Sequence, residues 1–461
     1  MENDTFVCMY CATEYPVLNA VPVLMTYPAR KLFFWADTIE AEKRSVEYWR
    51  EWLGSDARRI PVELIPRAGK MLDGMLTNLS LMEKHFALID NYIRSHERTH
   101  DFSSWFFGYT PADGYIKMLP FFFQDWYASD DFTAVKNLIS ETLVEACGNP
   151  VEAIAVLGCG ACGLLYHLAD YARIAYGVDL GIPTLFAARQ LINGQEMTFH
   201  LTDGDWSAVR LEKHKAKSNI QLIAADVATL PFGNRTLSVV VTQFLLDLIG
   251  DVESFAGEIG RVLKKDGIWI NFSKPVAAPG DPPAMGKRTP EEMLPFLENL
   301  GFTGIICERN RLKQFSFKGI YGGGDVVDHE CHFFVVRKLR EIESNSNDIF
   351  VNYFLNGDRA IWDRIPRLVA GRQVSINSRK TFSTGDLDES SEIKVVGVSL
   401  PTMDSYAKVV EMVLSGVDGQ RSLGNVYKQV EPTGAFRDED EFIEFIHALA
   451  VSYYIIDISC S

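Results

Sequence analysis

A glycine-rich turn between two apolar runs is the feature that most constrains how this chain can fold. The stretch AIAVLGCGACGLLYHLADYARIAYGVDL, residues 153–180, joins an apolar run to three spaced glycines, a helix-type segment and a second apolar run. Glycine permits a positive φ and lets a ligand approach the backbone closely. A helix N-terminus behind the turn offers free N–H groups and a partial positive charge. Gly158, Gly160 and Gly163 therefore predict a ligand-holding turn between strand and helix, although several folds share this spacing.

Further apolar runs of strand type follow this unit. The runs are AIAVLGCG, IAYGVDL, IQLIAAD, LSVVVTQFLLDL, GIWINFS, FTGIICERN and CHFFVVRK. Helix-length segments separate most of them, which predicts an α/β fold with a Rossmann-like, doubly wound and mostly parallel sheet. The last two runs have no helix-length segment between them. They are therefore expected to form an antiparallel pair at one edge of the sheet.

The chain length and the pattern of segments predict three parts. At 461 residues the chain is longer than one ordinary core accommodates. Residues 1–105 form a helical region with a cysteine-containing head, because their apolar residues recur at three- and four-residue steps. Residues 106–340 hold the predicted sheet. Residues 341–461 begin with a polar linker, and the short helices after it, closed by a strand-type run, predict a small α+β, winged-helix-like domain.

The net charge of the chain argues against two classes of partner. The formal charge is −16 and the sequence pI is about 5.1, whereas nucleic acid or an anionic membrane selects a basic face. No apolar run reaches about 18 residues, so no membrane span is predicted. The first residues lack the basic and apolar regions of a signal peptide. A cytoplasmic protein whose eight cysteines are reduced is therefore expected.

Polar residues end the next predicted strands, where an open α/β sheet binds its ligands. Asp179 ends the second run, and a carboxylate there can accept hydrogen bonds from both hydroxyls of a ribose. Asp226 ends the third run and is placed to accept from an adenine amino group, beside the apolar Val227. Gln243 and Asp247 follow the fourth run.

This ordered set of strand ends resembles the class I S-adenosylmethionine-dependent methyltransferases over residues 153–273. A narrower resemblance, over residues 113–338, is to the carnosine N-methyltransferase family. It rests on DGYIKMLPFFFQDWYASDDFTAVKNLISETL, FLLDL, DGIWINF and HECHFFVVRK. The resemblance implies S-adenosylmethionine as methyl donor and an imidazole-type nitrogen, on a small molecule or a peptide, as acceptor.

The resemblance also implies roles for individual residues. Gln124 takes the place of a cofactor-binding arginine, Gln243 matches a cofactor-binding position, and Asp247 matches the aspartate that faces the substrate imidazole. The segments SKPVAAPGDPP and YGGGDVVDHECH depart from the family pattern. The acceptor pocket is therefore expected to differ from that of the family.

Methyl transfer from a sulfonium is an in-line displacement in which an enzyme chiefly holds the reactants at attack distance. Asp247 could accept the N–H of a neutral imidazole and leave the other ring nitrogen to attack; a capping or ion-paired aspartate is the alternative. His329 and His332 flank the last strand and could orient the substrate or act as base, or be solvated edge histidines. Tyr321 is a candidate pocket wall or a structural loop residue.

Two cysteine pairs have the C-x-x-C spacing. Cys8 and Cys11 form half of a zinc knuckle and predict a possible structural zinc site, with ordinary thiols as the alternative. Cys159 and Cys162 lie within the glycine turn, where small side chains fit around a ligand.

Three other functions are compatible with parts of the pattern. They are a non-catalytic cofactor-binding module, a peptide- or protein-modifying methyltransferase whose C-terminal domain grips the substrate chain, and a nicotinamide dehydrogenase. The aspartate after the third run and the segment DGIWINFS disfavour the dehydrogenase.

Overall fold

The computed structural model describes most of the chain. The described residues are 5–8, 14–25, 28–55, 60–94, 111–127, 130–148, 150–201, 206–249, 252–276, 287–317, 324–340, 359–368, 374–383, 386–395, 398–447, 449 and 456–457. The strands are β1 (Thr5–Val7), β2 (Glu14–Leu18), β3 (Val21–Pro22), β4 (Val151–Leu157), β5 (Ala172–Asp179), β6 (Met197–His200), β7 (Ala208–Leu211), β8 (Ile220–Ala224), β9 (Leu237–Gln243), β10 (Leu263–Ser273), β11 (Phe302–Phe317), β12 (Gly324–Lys338), β13 (Arg367–Leu368), β14 (Val374–Ser383), β15 (Asp386–Val395), β16 (Val398–Met403) and β17 (Ile456–Asp457). The α-helices are α1 (Pro28–Ser55), α2 (Ile65–Ile93), α3 (Pro111–Trp126), α4 (Asp130–Cys147), α5 (Gly163–Leu168), α6 (Ile182–Ile192), α7 (Val252–Val262), α8 (Pro290–Leu300), α9 (Asp404–Gly416), α10 (Leu423–Val430) and α11 (Glu439–His447).

A seven-stranded sheet occupies the centre, in the order β11-β12-β10-β9-β4-β5-β8. Strands β8, β5, β4, β9 and β10 are parallel, whereas β12 runs antiparallel to both β10 and β11. The predicted Rossmann-like, mostly parallel sheet and its antiparallel edge pair are confirmed. The strand order reverses between β4 and β9, and ligands of open α/β sheets bind at the carboxyl ends of the strands beside such a switch point.

Alternate residues of the parallel strands face two apolar layers, because successive side chains of a strand point to opposite faces. Ile154 and Val156 of β4 lie in the layer that includes α6. Ala155 and Leu157 of the same strand lie in the opposite layer with α7. Burial on both faces explains why these strands read as continuous apolar runs in the sequence.

The N-terminal helices pack on the first of these faces. Met82, Phe86 and Ile89 of α2 belong to the same apolar cluster as Ile154 of β4. A second contact comes from β3, since Val23 bridges to Ala224 in parallel and the Leu24 N–H donates to the Ala224 carbonyl at 2.8 Å. The N-terminal region therefore shares a core with the sheet and reaches the carboxyl end of β8.

The C-terminal region has a core of its own. Strands β14, β15 and β16 form an antiparallel sheet, and α9, α10 and α11 follow it in the chain. Val410, Val426 and Phe442 are among the fully buried side chains that join these helices. The region therefore combines a small sheet with helices; its winged-helix arrangement stays a prediction. None of the helices that the structure describes has both the length and the apolar character needed to cross a bilayer.

Candidate active site

The carboxyl ends of the central strands form one edge on which most of the predicted site residues lie. Paired positions along this edge are Ala224 with Asp179, Val178 with Leu157, Leu157 with Thr242, Gln243 with Phe272, and Ser273 with His332. The turn after β4 and the loop after β8 continue from the same edge. The sheet therefore brings together polar groups that are far apart in the sequence.

The glycine turn after β4 adopts backbone conformations that depend on its glycines. Gly158 and Gly160 have φ values of +63° and +46°, which glycine adopts readily. A Cβ on Gly158 would lie 2.9 Å from Leu245 Cδ1, and one on Gly160 would lie 3.1 Å from Met118 Cε. The turn is thus packed closely between the loop after β9 and helix α3. Gly163 begins α5 directly behind it.

Asp179 fastens this turn to the end of β5. Its Oδ2 accepts a hydrogen bond from the Gly160 N–H and its Oδ1 accepts one from the Gly181 N–H, both at 2.8 Å. Burial raises the pKa of Asp179 above its ordinary value, and the backbone N–H donors oppose that rise. Two carboxylate oxygens offer about four acceptor positions. Asp179 can therefore hold the turn and accept hydrogen bonds from a ligand as well.

The loop after β8 presents the second predicted carboxylate. Asp226 Oδ1 accepts a hydrogen bond from the Ala228 N–H at 2.9 Å, which closes a short turn. Val227 is buried in the layer that also holds Leu245 and Leu246. An apolar wall thus lies beside a carboxylate, which is the combination that suits the face and the amino edge of an adenine.

Helix α3 caps the glycine turn. The Trp126 indole Nε1–H donates to the Ala161 carbonyl at 2.8 Å, and the Gly163 N–H donates to Asp125 Oδ2 at 3.3 Å. A Cβ on Gly163 would clash with the Asp125 side chain. Gln124 lies next to Asp125 and is partly exposed.

Asp125 is a candidate site residue that the sequence analysis does not single out. It is a single carboxyl among the apolar residues MLPFFFQDWY, and that isolation was the available signal. Burial raises its pKa to about 7, and the hydrogen bond from Gly163 only partly offsets the rise. A cationic ligand would stabilise the ionised form of such a carboxyl, because its charge replaces the stabilisation that hydration gives an exposed carboxylate.

A series of buried side-chain hydrogen bonds joins β9 and β10 at the carboxyl edge. The Trp269 Nε1–H donates to Thr242 Oγ1 at 2.9 Å, and that hydroxyl donates to Asn271 Oδ1 at 2.9 Å. The Asn271 amide then donates to Ser273 Oγ at 3.1 Å. The series ends beside His332. Satisfied buried networks of this type fix strand ends in one arrangement.

Asp247 lies on the 3₁₀ turn Leu246–Leu248 that follows β9. Its Oδ1 is buried, and its charge raises the pKa of the Cys331 thiol, whose pKa of about 11 is due mainly to burial. Asp247 and Cys331 therefore lie near each other at the carboxyl edge. Gln243, at the end of β9, is partly exposed at the same edge.

The structure describes the remaining predicted acceptor residues to different extents. His332 is buried opposite Ser273, and burial lowers its pKa. Its Nε2 lies 3.9 Å from Glu330 Oε1. The backbone of His329 continues β12 opposite Leu312 of β11, and its side chain lies outside the described part of the chain. Tyr321 also lies outside the described residues.

The structure describes both cysteines of the pair in the glycine turn but only one cysteine of the N-terminal pair. Cys8 is partly buried, whereas Cys11 lies outside the described residues, so zinc binding there stays a prediction. Within the described ranges, no group of three or more His, Cys, Asp and Glu side chains is placed to hold a metal ion. Cys159 and Cys162 are buried in the glycine turn with their sulfurs 3.5 Å apart. Burial raises the pKa of the Cys159 thiol well above its usual range.

A known sequence family covers the same part of the chain. Residues 156–271 match the family described as "Methyltransferase domain". The match begins in β4 and ends in β10, so it includes the glycine turn, Asp179, Asp226 and Gln243. The chain therefore carries a methyltransferase domain, and such a domain implies S-adenosylmethionine.

Solved structures similar to this chain include several transferases. Phosphoethanolamine N-methyltransferase 2 from Haemonchus contortus, in complex with S-adenosylmethionine, is 14% identical over 52% of this chain and 61% of that protein, with a TM-score of 0.35. The N-methyltransferase NodS from Bradyrhizobium japonicum is 13% identical over 46% of this chain and 99% of its own, with a TM-score of 0.31. The cyclase SpnF is 15% identical over 45% and 81% of the two chains, with a TM-score of 0.32. At such low similarity they carry no argument about the reaction or the acceptor.

Proposed function

We propose that this protein is an S-adenosylmethionine-dependent N-methyltransferase that acts on an imidazole-type ring nitrogen of a small molecule or a peptide. The observation that carries the proposal is the meeting of the glycine turn, Asp179 and Asp226 at the carboxyl edge, inside the segment that matches a methyltransferase domain. When bound, S-adenosylmethionine supplies a methyl group whose bond to sulfur breaks as the bond to the acceptor nitrogen forms.

Each part of the cofactor has a candidate partner. The positive φ values of Gly158 and Gly160 support a turn whose backbone a ligand can approach closely. Asp179 accepts from the ribose hydroxyls while it holds Gly160 and Gly181. Asp226 accepts a hydrogen bond from the adenine amino group, and Val227 packs against the adenine face. The other residues proposed to contact the cofactor are Gly163, Gln124 and Gln243.

Asp125 extends this assignment to the cationic end of the cofactor. The methionine part of S-adenosylmethionine carries an α-ammonium group. The Asp125 carboxyl is partly buried at Gly163, and its pKa is raised to about 7, so it ionises more easily when an ammonium lies beside it. We assign Asp125 to that ammonium.

Asp247 orients the acceptor in this proposal. A carboxylate that accepts the N–H of a neutral imidazole selects one tautomer and leaves the other nitrogen with its lone pair in the ring plane. The residue follows β9, next to the switch point of the sheet, and its Oδ1 is buried near Cys331. A carboxylate in such surroundings holds a ring more firmly than one in water. His332, His329 and Tyr321 are the further candidates for contact with the acceptor.

The test compares two substitutions of aspartate by asparagine. Asp247→Asn is expected to leave the affinity for S-adenosylmethionine nearly unchanged and to lower methyl transfer to imidazole compounds by about 100-fold, because a positioning contact is lost. Asp266→Asn is the control, since Asp266 is exposed at the other end of the sheet and its φ of +61° suits asparagine. Transfer of a labelled methyl group is measured with a panel of imidazole-containing small molecules and peptides.

Two results would count against the proposal. Wild-type activity of Asp247→Asn on every imidazole acceptor would remove the imidazole assignment. Tight binding of S-adenosylmethionine with no transfer by the wild type to any acceptor on the panel would instead favour a cofactor-binding module.

A further inference from the structure

The loop that carries Asp226 lies between the sheet and the C-terminal region. Ala228, two residues beyond Asp226, packs against the C-terminal core formed by helices α9, α10 and α11. The Ala228 N–H is also the group that donates to Asp226 Oδ1. The position of this carboxylate therefore depends on how the C-terminal core seats the loop.

The last residue of α11 lies close enough to this carboxylate for their charges to interact. His447 is partly buried, and the charges of Asp226 and Lys31 both act on its ring. Lys31 belongs to the first turns of α1, just beyond the segment in which Leu24 pairs with Ala224. Three regions distant in sequence thus meet at the end of β8.

The protonation state of His447 decides what it can do there. Burial lowers its pKa to about 4 although the carboxylate of Asp226 opposes the shift. The ring is therefore neutral at pH 7, with one N–H donor and one acceptor nitrogen. A neutral imidazole can donate to Asp226 and leave the rest of the carboxylate free to accept.

We infer that the C-terminal domain completes the cofactor site, and that His447 is a positioning residue that holds the Asp226 carboxylate toward the 6-amino group of the adenine. This inference rests on the proposed function. The C-terminal domain then contributes to recognition of the purine 6-position, in addition to any contribution to binding of the acceptor.

The test uses two ligands that differ at the purine 6-position. S-adenosylhomocysteine carries an amino donor there, whereas S-inosylhomocysteine carries an oxo acceptor that faces the carboxylate unfavourably. The full-length wild type is expected to prefer the adenosyl ligand by about 30-fold or more, the scale of a hydrogen bond to a charged group. His447→Ala should reduce that preference to about fivefold or less, with the affinity for S-inosylhomocysteine changed by less than about threefold.

Two further variants complete the set. His447→Gln keeps a side-chain donor and should recover most of the preference. Lys428→Ala removes an exposed cation of α10 in the same domain and should leave the preference for the adenosyl ligand unchanged.

The failures of the two proposals are distinguishable. If the wild type binds neither ligand, the proposed function fails and the inference fails with it. If the wild type prefers the adenosyl ligand and His447→Ala keeps that preference, the inference is overturned while cofactor binding stands. Equal loss of both ligands in His447→Ala would make His447 a residue of the fold alone, and would also overturn the inference.

Discussion

Asp125 is the residue whose ionisation is expected to depend most directly on the binding of S-adenosylmethionine. Its carboxyl is held against the start of α5 by the Gly163 N–H, and burial raises its pKa to about 7. In the ligand-free protein, stability contributed by the neutral carboxyl is lost as the pH rises through that value, since the unfolded chain ionises near pH 3.8. A bound ammonium reverses the preference and favours the ionised form.

Binding of S-adenosylmethionine should therefore strengthen with pH. Between pH 5.5 and pH 7 we expect about a tenfold increase in affinity, because a growing fraction of free protein already has Asp125 ionised. The ligand's α-ammonium stays protonated over this range. Calorimetry at several pH values measures the effect in the wild type and in Asp125→Asn, in which the dependence should disappear.

The matched control is Glu145→Gln, which removes an exposed carboxyl from α4. It should retain the pH dependence of the wild type. A wild-type affinity that is flat from pH 5.5 to pH 7 would exclude Asp125 as the partner of the ammonium.

Helix α3 connects the N-terminal helices to the glycine turn. The Trp126 ring packs at 5.1 Å from both Tyr166 and His214, measured between ring centroids, while its Nε1–H reaches the Ala161 carbonyl. The ring supplies apolar packing, and the N–H fixes the position of the turn. These two contributions can be separated by one substitution.

Trp126→Phe keeps an aromatic ring and removes the hydrogen bond to Ala161. We expect a loss of about 1–2 kcal/mol in the free energy of unfolding, since a buried carbonyl loses its donor. Affinity for S-adenosylmethionine should also fall several-fold, because Ala161 belongs to the turn. Urea unfolding and calorimetry provide the two measurements.

Trp52→Phe serves as the comparison, since Trp52 packs on Trp49 of α1, which lies outside the turn. It should leave cofactor affinity unchanged. Unaltered affinity in Trp126→Phe as well would mean that α3 does not set the geometry of the turn.

The elements differ in how far the sequence predicts them. Strand β4 reads VEAIAVL, and burial on both faces of a parallel sheet imposes such a run, so its type and direction follow from local pattern. The strand-end residues Asp179 and Asp226 follow from the same logic. The proposed roles of Asp125 and His447 do not, because each role depends on packing between segments that no local periodicity relates. The side-chain arrangement near His329 and Tyr321 lies outside the described residues.

Three parts of the chain contribute to the candidate site. The sheet supplies the glycine turn and two carboxylates, the N-terminal region extends β8 through Val23, and the C-terminal core seats the loop at Ala228. The chain length and the pattern of segments predict separate parts, and packing joins them at the carboxyl edge. A cofactor bound there would contact groups that all three parts hold in place, so binding should stabilise the protein as a unit.

Calorimetric titration with S-adenosylmethionine tests whether the glycine turn and the Asp179 carboxylate bind the cofactor. The wild type should bind with about one-to-one stoichiometry, and Asp179→Asn should bind about 10- to 100-fold more weakly, which is the scale of hydrogen bonds to a charged group. Asp266→Asn, with its exposed carboxylate, should bind like the wild type. No heat of binding with S-adenosylmethionine, together with tight binding of NADH by the same protein, would contradict the proposal that this site binds S-adenosylmethionine.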